Sequence, residues 1–162
     1  MSILSRLGHD TISRLEKAAA RRFIEAEWLV EGKHHLTAIY FFGYAVEITV
    51  GTAYFRMKGY GLLDPLLPVD RNKALIAAKG RSLMTDKSHP IDGWAELLIE
   101  EKGALFPPAF ERKIERAIRN KTVELRDNWG PKLRYRSMDA TEEQVKAARE
   151  AADWFLKKFP KF

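Results

Sequence analysis

The chain has 162 residues, about the length of one domain, and we predict a single domain over residues 1–162. Its composition, 46% hydrophobic and 31% charged, excludes a disordered tail. The absence of cysteine excludes a disulfide framework, a cysteine nucleophile and every thiolate metal site, and it suits a reducing cytosol. Residues 1–10 carry charges and lack the apolar core of a signal peptide, so none is predicted.

The net charge of +6 is concentrated in one segment. Residues 106–138 carry nine basic and four acidic side chains, a net charge of +5. A local basic surface of this kind indicates a polyanion partner such as RNA or DNA. The alternative is a solvated helix face in a mildly basic protein.

The first half of the chain predicts two long helices. From Thr11 to Glu31, apolar residues recur at steps of three and four, which is the pattern of an amphipathic helix, and Gly32 ends it. Residues 34–58 are apolar on almost every side, which predicts the buried central helix of a bundle. A membrane span is not expected there, because the Glu47 carboxylate near the middle would cost about 2.5–3.5 kcal/mol on insertion scales.

The second half predicts a connector at residues 59–69 and then four helices. We expect these helices at residues 70–84, 91–101 and 109–129, with a last helix that begins after Asp139 or Thr141 and runs through Phe159. Glycine and proline break the chain between them, at the turn 86–90, at Gly103 with Pro107-Pro108, and at Gly130-Pro131. Thr141 and Gln144 have the spacing of a capping box. No run alternates with period two for long enough to predict a strand, so the fold class is all-α, an up-and-down bundle of four main helices with one or two short extra helices.

Four arginines of the basic segment share one side of the predicted helix 109–129. They lie within a sector of about 80°, opposite the apolar stripe, and we call them the arginine ridge: Arg112, Arg116, Arg119 and Arg126. Guanidinium groups in a row suit contacts with phosphates. The alternative is that the interspersed carboxylates of Glu111, Glu115 and Asp127 pair with them.

The turn after this helix adds cations and aromatic rings. Lys132, Arg134 and Arg136 extend the basic surface, and Trp129 and Tyr135 could stack on unpaired bases.

Glu47 is a lone carboxylate in an apolar helix. Because a buried carboxylate needs a cation or hydrogen-bond donors, we expect it to be buried and paired with an arginine, Arg126 or Arg134. An internal salt bridge that fixes the helix register is the alternative to a functional role.

The usual enzyme signatures are absent from the sequence. It contains no phosphate-binding glycine loop, no His-Glu-x-x-His and no G-x-S-x-G elbow. His34 and His35 are adjacent and project about 100° apart on a helix, which suits a shared metal poorly. No catalytic residue, metal site or cofactor is predicted.

Two segments carry a family resemblance. Phe42-Gly43-Tyr44-Ala45-Val46-Glu47 and Trp129-Gly130-Pro131-Lys132-Leu133-Arg134-Tyr135 resemble the G-Y-A-x-E helix and the W-x-P-x-L-R-Y turn of one branch of the HEPN superfamily (higher eukaryotes and prokaryotes nucleotide-binding domain). We call them the helix motif and the turn motif. The similarity extends from the first helix to Phe159.

The resemblance implies a bacterial cytoplasmic protein that forms a homodimer and binds RNA or a nucleotide. HEPN proteins often act in toxin–antitoxin or defence systems with a nucleotidyltransferase-like partner, and some cleave RNA without a metal through an Arg-x(4–6)-His motif. This chain departs from that motif. Glu124, Leu125 and Arg126 stand where a histidine could follow Arg119, and Pro131, Lys132 and Leu133 stand where one could follow Arg126. No histidine occurs after His89.

These observations favour an RNA- or nucleotide-binding module that is not a standard HEPN ribonuclease. The expected binding residues are Glu47, Arg119, Arg126, Trp129, Arg134 and Tyr135. Two alternatives stay open. One is a divergent metal-independent endoribonuclease whose acid/base role has moved to Glu124 or to a histidine from a second subunit. The other is a structural partner of another protein, with the basic surface meeting an acidic one.

Overall fold

Six α-helices make up most of the chain that the computed structural model describes, which is residues 10–80, 90–105, 108–129, 133 and 139–159. They are α1 (Ile12–Glu31), α2 (His35–Met57), α3 (Pro68–Gly80), α4 (Ile91–Leu105), α5 (Pro108–Asn128) and α6 (Glu142–Lys158). Within these ranges the only β-type pairing is an isolated bridge between Thr11 and Pro65. The prediction of an all-α helical bundle is confirmed.

α2 is the central helix, because α1, α4 and α6 all pack against it. Buried side chains lie on every side of it, among them Ile39, Phe42, Val46 and Val50. By length and composition α2 could also cross a membrane, but 61% of its most apolar window is buried against the other helices. A helix that is apolar all round is typical of a core position, and the predicted buried central helix is confirmed.

α1 lies along α2 through a face of small and apolar side chains. Thr11 caps its start by accepting a hydrogen bond from the Arg14 amide at 3.3 Å. Ala19 and Ala26 are buried between the two helices and allow a close approach. Lys33, with φ 60°, makes the tight turn into α2.

The remaining helices follow one another around α2. α6 packs against both α1 and α5, and α5 also packs against α4, while α3 packs on α4. Trp94 of α4 is fully buried against the rings of Tyr54 and Phe55 on α2, at centroid distances of 5.9 and 5.8 Å. Because α6 lies between α1 and α5, the outer faces of α1 and α5 lie on different sides of the bundle.

Helix ends differ from the sequence-based expectations at three places. α3 begins at Pro68, and α5 begins at Pro108, because proline suits the first position of a helix. α4 continues through Gly103 to Leu105, since a glycine costs a helix only about 1 kcal/mol relative to alanine and does not end it by itself. The predicted helical residues 81–84, the turn at 86–89 and the Gly130-Pro131 break lie outside the described residues.

The start of α6 provides a test of local capping. The Thr141 hydroxyl accepts from the Gln144 amide at 3.3 Å, and the Gln144 side-chain oxygen accepts from the Thr141 amide at 3.0 Å. This is the predicted capping box.

Thr141→Ala should lower the free energy of unfolding by about 1 kcal/mol in urea denaturation, because an amide loses its acceptor. Thr141→Ser keeps the acceptor and should unfold like the parent. Equal stability of the alanine variant would contradict the assignment.

Candidate nucleic-acid interface

The arginine ridge lies on the outer face of α5. Ile118 and Leu125 are fully buried on the opposite face, where α5 packs against α4 and α6. All four ridge side chains are exposed. Arg112 and Arg126 are fourteen positions apart, which corresponds to about 21 Å along the helix axis. The sequence-based placement of these arginines on one exposed face is confirmed.

Arg119 is held by a carboxylate of the neighbouring helix. Its Nε and Nη2 donate to the two carboxylate oxygens of Glu96 on α4 at 2.8 and 2.9 Å. The hydrogen bond to Glu96 raises the pKa of Arg119. A bidentate pair of this kind ties α5 to α4 and uses the guanidinium edge that a phosphate would take. Arg119 is thus a structural residue in this arrangement, and sequence spacing missed its partner Glu96.

Arg126 does not pair with Glu47, which corrects one expectation. Its Nη2 lies 3.6 Å from the Asp127 carboxylate, and its side chain is 40% exposed on the ridge. An exposed pair between adjacent residues contributes little to stability. Arg126 therefore stays available to a ligand from solvent, but it does not neutralise the buried carboxylate.

Arg112 and Arg116 have no acidic partner among the described residues. Neither forms an ion pair with any carboxylate in the described part of the chain. The acidic side chains of α5 that are described, Glu115, Glu124 and Asp127, each lie near a different cation. Glu115 lies 3.9 Å from Arg119, and Glu124 accepts from Lys121 at 2.7 Å. The side chain of Glu111 is outside the described residues. Within the described residues, the arginines of the ridge that have no acidic partner are thus Arg112 and Arg116, in the N-terminal half of α5.

Trp129 is a packing residue, which corrects its expected role in base stacking. Its side chain is only 6% exposed, and its Nε1 donates to the Tyr40 carbonyl at 3.0 Å. A Cβ built on Gly43 would lie 2.2 Å from Nε1, so the indole occupies the space that glycine leaves open. The ring faces are not accessible to a base here.

Glu47 is buried, as expected, at 7% exposure on α2. Its carboxylate takes part in a hydrogen-bonding or electrostatic interaction. It lines a cleft of about 20 Å³ with Gly51, Arg71 and Trp94. That volume holds about one water molecule, so the cleft does not accept a nucleotide. Glu47 is therefore a buried polar residue of the core, not part of an open pocket.

Two expected binding residues, Arg134 and Tyr135, lie outside the described residues. Leu133 of the turn motif is buried. The two motifs meet at the contact between Trp129 and Gly43, which brings the end of α5 against α2. Comparison with protein-family models, with curated proteins and with solved structures gives no match.

The contact between Gly43 and Trp129 predicts a glycine-specific position. Gly43→Ala should lower the free energy of unfolding by about 1–3 kcal/mol, because its methyl group would overlap the indole. Gly51→Ala is the matched control on the same helix, since its Cβ would lie 3.5 Å from Trp94, an ordinary contact. We expect the control to be neutral or stabilising, as alanine favours a helix. Equal effects in urea denaturation would contradict the close contact.

The burial of Glu47 predicts a large effect on stability. Glu47→Ala should lower the free energy of unfolding by about 3–5 kcal/mol, the cost of breaking a buried charged interaction. Glu124→Ala, which removes an exposed carboxylate, should change it by less than about 0.5 kcal/mol. A Glu47→Ala variant that melts like the parent would show that its carboxylate is solvated.

Proposed function

We propose that this chain is a HEPN-like domain that binds RNA through the arginine ridge and does not cleave it by the HEPN ribonuclease mechanism. The observation that carries the proposal is the pair Arg112 and Arg116, exposed on one face and free of ion pairs in the described part of the chain. Unneutralised guanidinium groups in a row are suited to successive phosphates of one strand.

The shape of the surface favours RNA over a free nucleotide. The ridge is about 21 Å long and lies on the convex outer face of a single helix. A convex basic strip can follow a phosphate backbone, whereas a small ligand needs a concave pocket that encloses most of its surface. The exposed Val123 lies between the arginines and leaves no carboxylate at the centre of the strip.

The HEPN assignment rests on the two motifs and is supported by their contact. The indole of Trp129 in the turn motif fills the space beside Gly43 in the helix motif, where any side chain at position 43 would overlap it. The all-α bundle also agrees with the family. A homodimer, a cytoplasmic location and a nucleotidyltransferase-like partner in a toxin–antitoxin or defence system belong to the same proposal.

The position of Glu124 favours binding over cleavage. Glu124 is the acidic residue that could replace the histidine of the Arg-x(4–6)-His motif. Glu124 is held by Lys121, with Nζ and Oε2 2.7 Å apart. It projects about 120° around the helix from Arg112, so a phosphate on the ridge lies away from its carboxylate. Loss of the general acid or base would lower the rate of RNA cleavage by roughly 10²–10⁴-fold.

RNA binding tests this proposal directly. The double variant Arg112→Ala/Arg116→Ala should bind a labelled single-stranded RNA of about twenty nucleotides at least tenfold more weakly, a loss of about 1.4 kcal/mol or more. In fluorescence anisotropy across a salt series, the slope of log K against log salt should fall by about two, one for each lost phosphate contact.

The double variant Lys73→Ala/Lys79→Ala is the control. It removes two exposed cations of α3 that form no ion pair within the described residues. Its affinity and salt slope should match the parent. Equal losses in both double variants would show that only net charge matters, and a parent that fails to bind at low salt would favour a protein partner. Cleavage of the RNA in the presence of a chelator would support the nuclease alternative.

A further inference from the structure

An exposed aromatic ring lies close to the C-terminal end of α5. Tyr44 of the helix motif is 39% exposed. Its ring stacks with that of Tyr40, one helical turn earlier, with the ring centroids 6.4 Å apart and the ring planes 15° from parallel. This stacking fixes the direction of the Tyr44 ring on the surface of α2. Trp129 is buried, so Tyr44 is the ring of the two contacting motifs that solvent reaches within the described residues.

The contacts of Trp129 place Tyr44 near the end of the arginine ridge. The indole Nε1 donates to the Tyr40 carbonyl, and the indole fills the space beside Gly43, the chain neighbour of Tyr44. The Trp129 amide donates to the Arg126 carbonyl at 3.3 Å. On the helical wheel of α5, Arg126 projects about 60° from Trp129, so the ridge adjoins the indole at its C-terminal end. Tyr44 and the last arginine of the ridge are therefore neighbours of the same tryptophan.

The other side of the tyrosine pair is bounded by α1. On the helical wheel of α2, Tyr40 and Tyr44 project about 60° and 100° from Gly43, towards Phe41. The Phe41 ring lies under the Arg22 guanidinium of α1, 5.4 Å from it. The tyrosine pair therefore lies on the strip of α2 between the end of α5 and α1, and the exposure of Tyr44 leaves this strip accessible from solvent.

We propose that Tyr44 stacks on an unpaired base of the RNA strand whose phosphates contact the arginine ridge, with Tyr40 holding its ring in place. The inference rests on the proposed function and adds the class of RNA. Bases in a duplex are stacked on one another and are not available to a protein ring, so this contact selects single-stranded RNA. It sets no base sequence, because every base has a π-face.

The stacking contact differs physically from the contacts of the ridge. Arginines bind any phosphate chain and release counterions when they do so, which makes their contribution fall as salt rises. A stacked ring neutralises no phosphate, so its contribution depends on the bases and hardly on salt. The two contributions can therefore be separated by a salt series and by a strand without bases.

The experiment is fluorescence anisotropy with a labelled single-stranded RNA of about twenty nucleotides. Tyr44→Ala should bind at least fivefold more weakly, with an unchanged slope of log K against log salt, because one base loses its stacking partner. Tyr44→Leu keeps an apolar side chain against Tyr40 without an aromatic ring and should lose as much. Tyr44→Phe keeps the ring and should bind like the parent. Trp28→Ala is the matched control, since it removes a 65% exposed ring from α1 and should leave the affinity unchanged.

A strand of the same length without bases should bind equally to the parent and to Tyr44→Ala, and so should duplex RNA. A loss of the same size on the strand without bases, or a lower salt slope, would show that the substitution disturbs the ridge and would overturn the stacking role. An equal loss in Tyr44→Phe would assign the effect to the hydroxyl group and overturn it too.

The Arg112→Ala/Arg116→Ala variant separates this inference from the proposed function. If that variant loses RNA while Tyr44→Ala binds RNA like the parent, stacking by Tyr44 is wrong and the ridge is still supported. If the parent binds no RNA at low salt, both are wrong.

Discussion

The fit of the Trp129 indole against Gly43 is the contact on which the placement of the candidate interface depends. The indole fills the space beside a residue without a side chain, and its Nε1 donates to the Tyr40 carbonyl one turn earlier. This contact fixes the C-terminal end of α5 on the central helix. With Ile118 and Leu125 also buried, only one face of α5 can point outward, and that face carries the arginines.

Electrostatics then divide the arginine ridge into two parts with different roles. Arg119 is committed to Glu96 and holds α5 against α4, so its charge contributes to the bundle. Arg112 and Arg116 lack such a carboxylate in the described chain and present their charge to solvent. In the proposed interface, Arg112 and Arg116 contact phosphates, while the Arg119–Glu96 pair holds α5 in position.

Local sequence signals predicted much of this architecture. The three- and four-residue periodicity of α1 and α5, the continuous apolarity of α2 and the capping box at Thr141 each depend on neighbours within a few turns. The errors came from contacts between distant residues. The sequence predicts Trp129 as a surface ring beside a turn because its partner Gly43 is far away in the chain, and it offers only carboxylates of the same helix as partners of Arg119 because Glu96 lies on another helix. Burial of Glu47 followed from its apolar surroundings, whereas the choice of Arg126 as its partner required an orientation that periodicity does not give.

RNA binding by the arginine ridge can be tested by amide chemical-shift mapping of the isotope-labelled chain, titrated with single-stranded RNA. We expect shifts that follow the outer face of α5 from Arg112 to Arg126 and weaken as salt rises, because phosphate contacts are screened and release counterions. The amides on the outer face of α1 should stay unperturbed by RNA. Shifts confined to α1, or none along α5 at low salt, would contradict it.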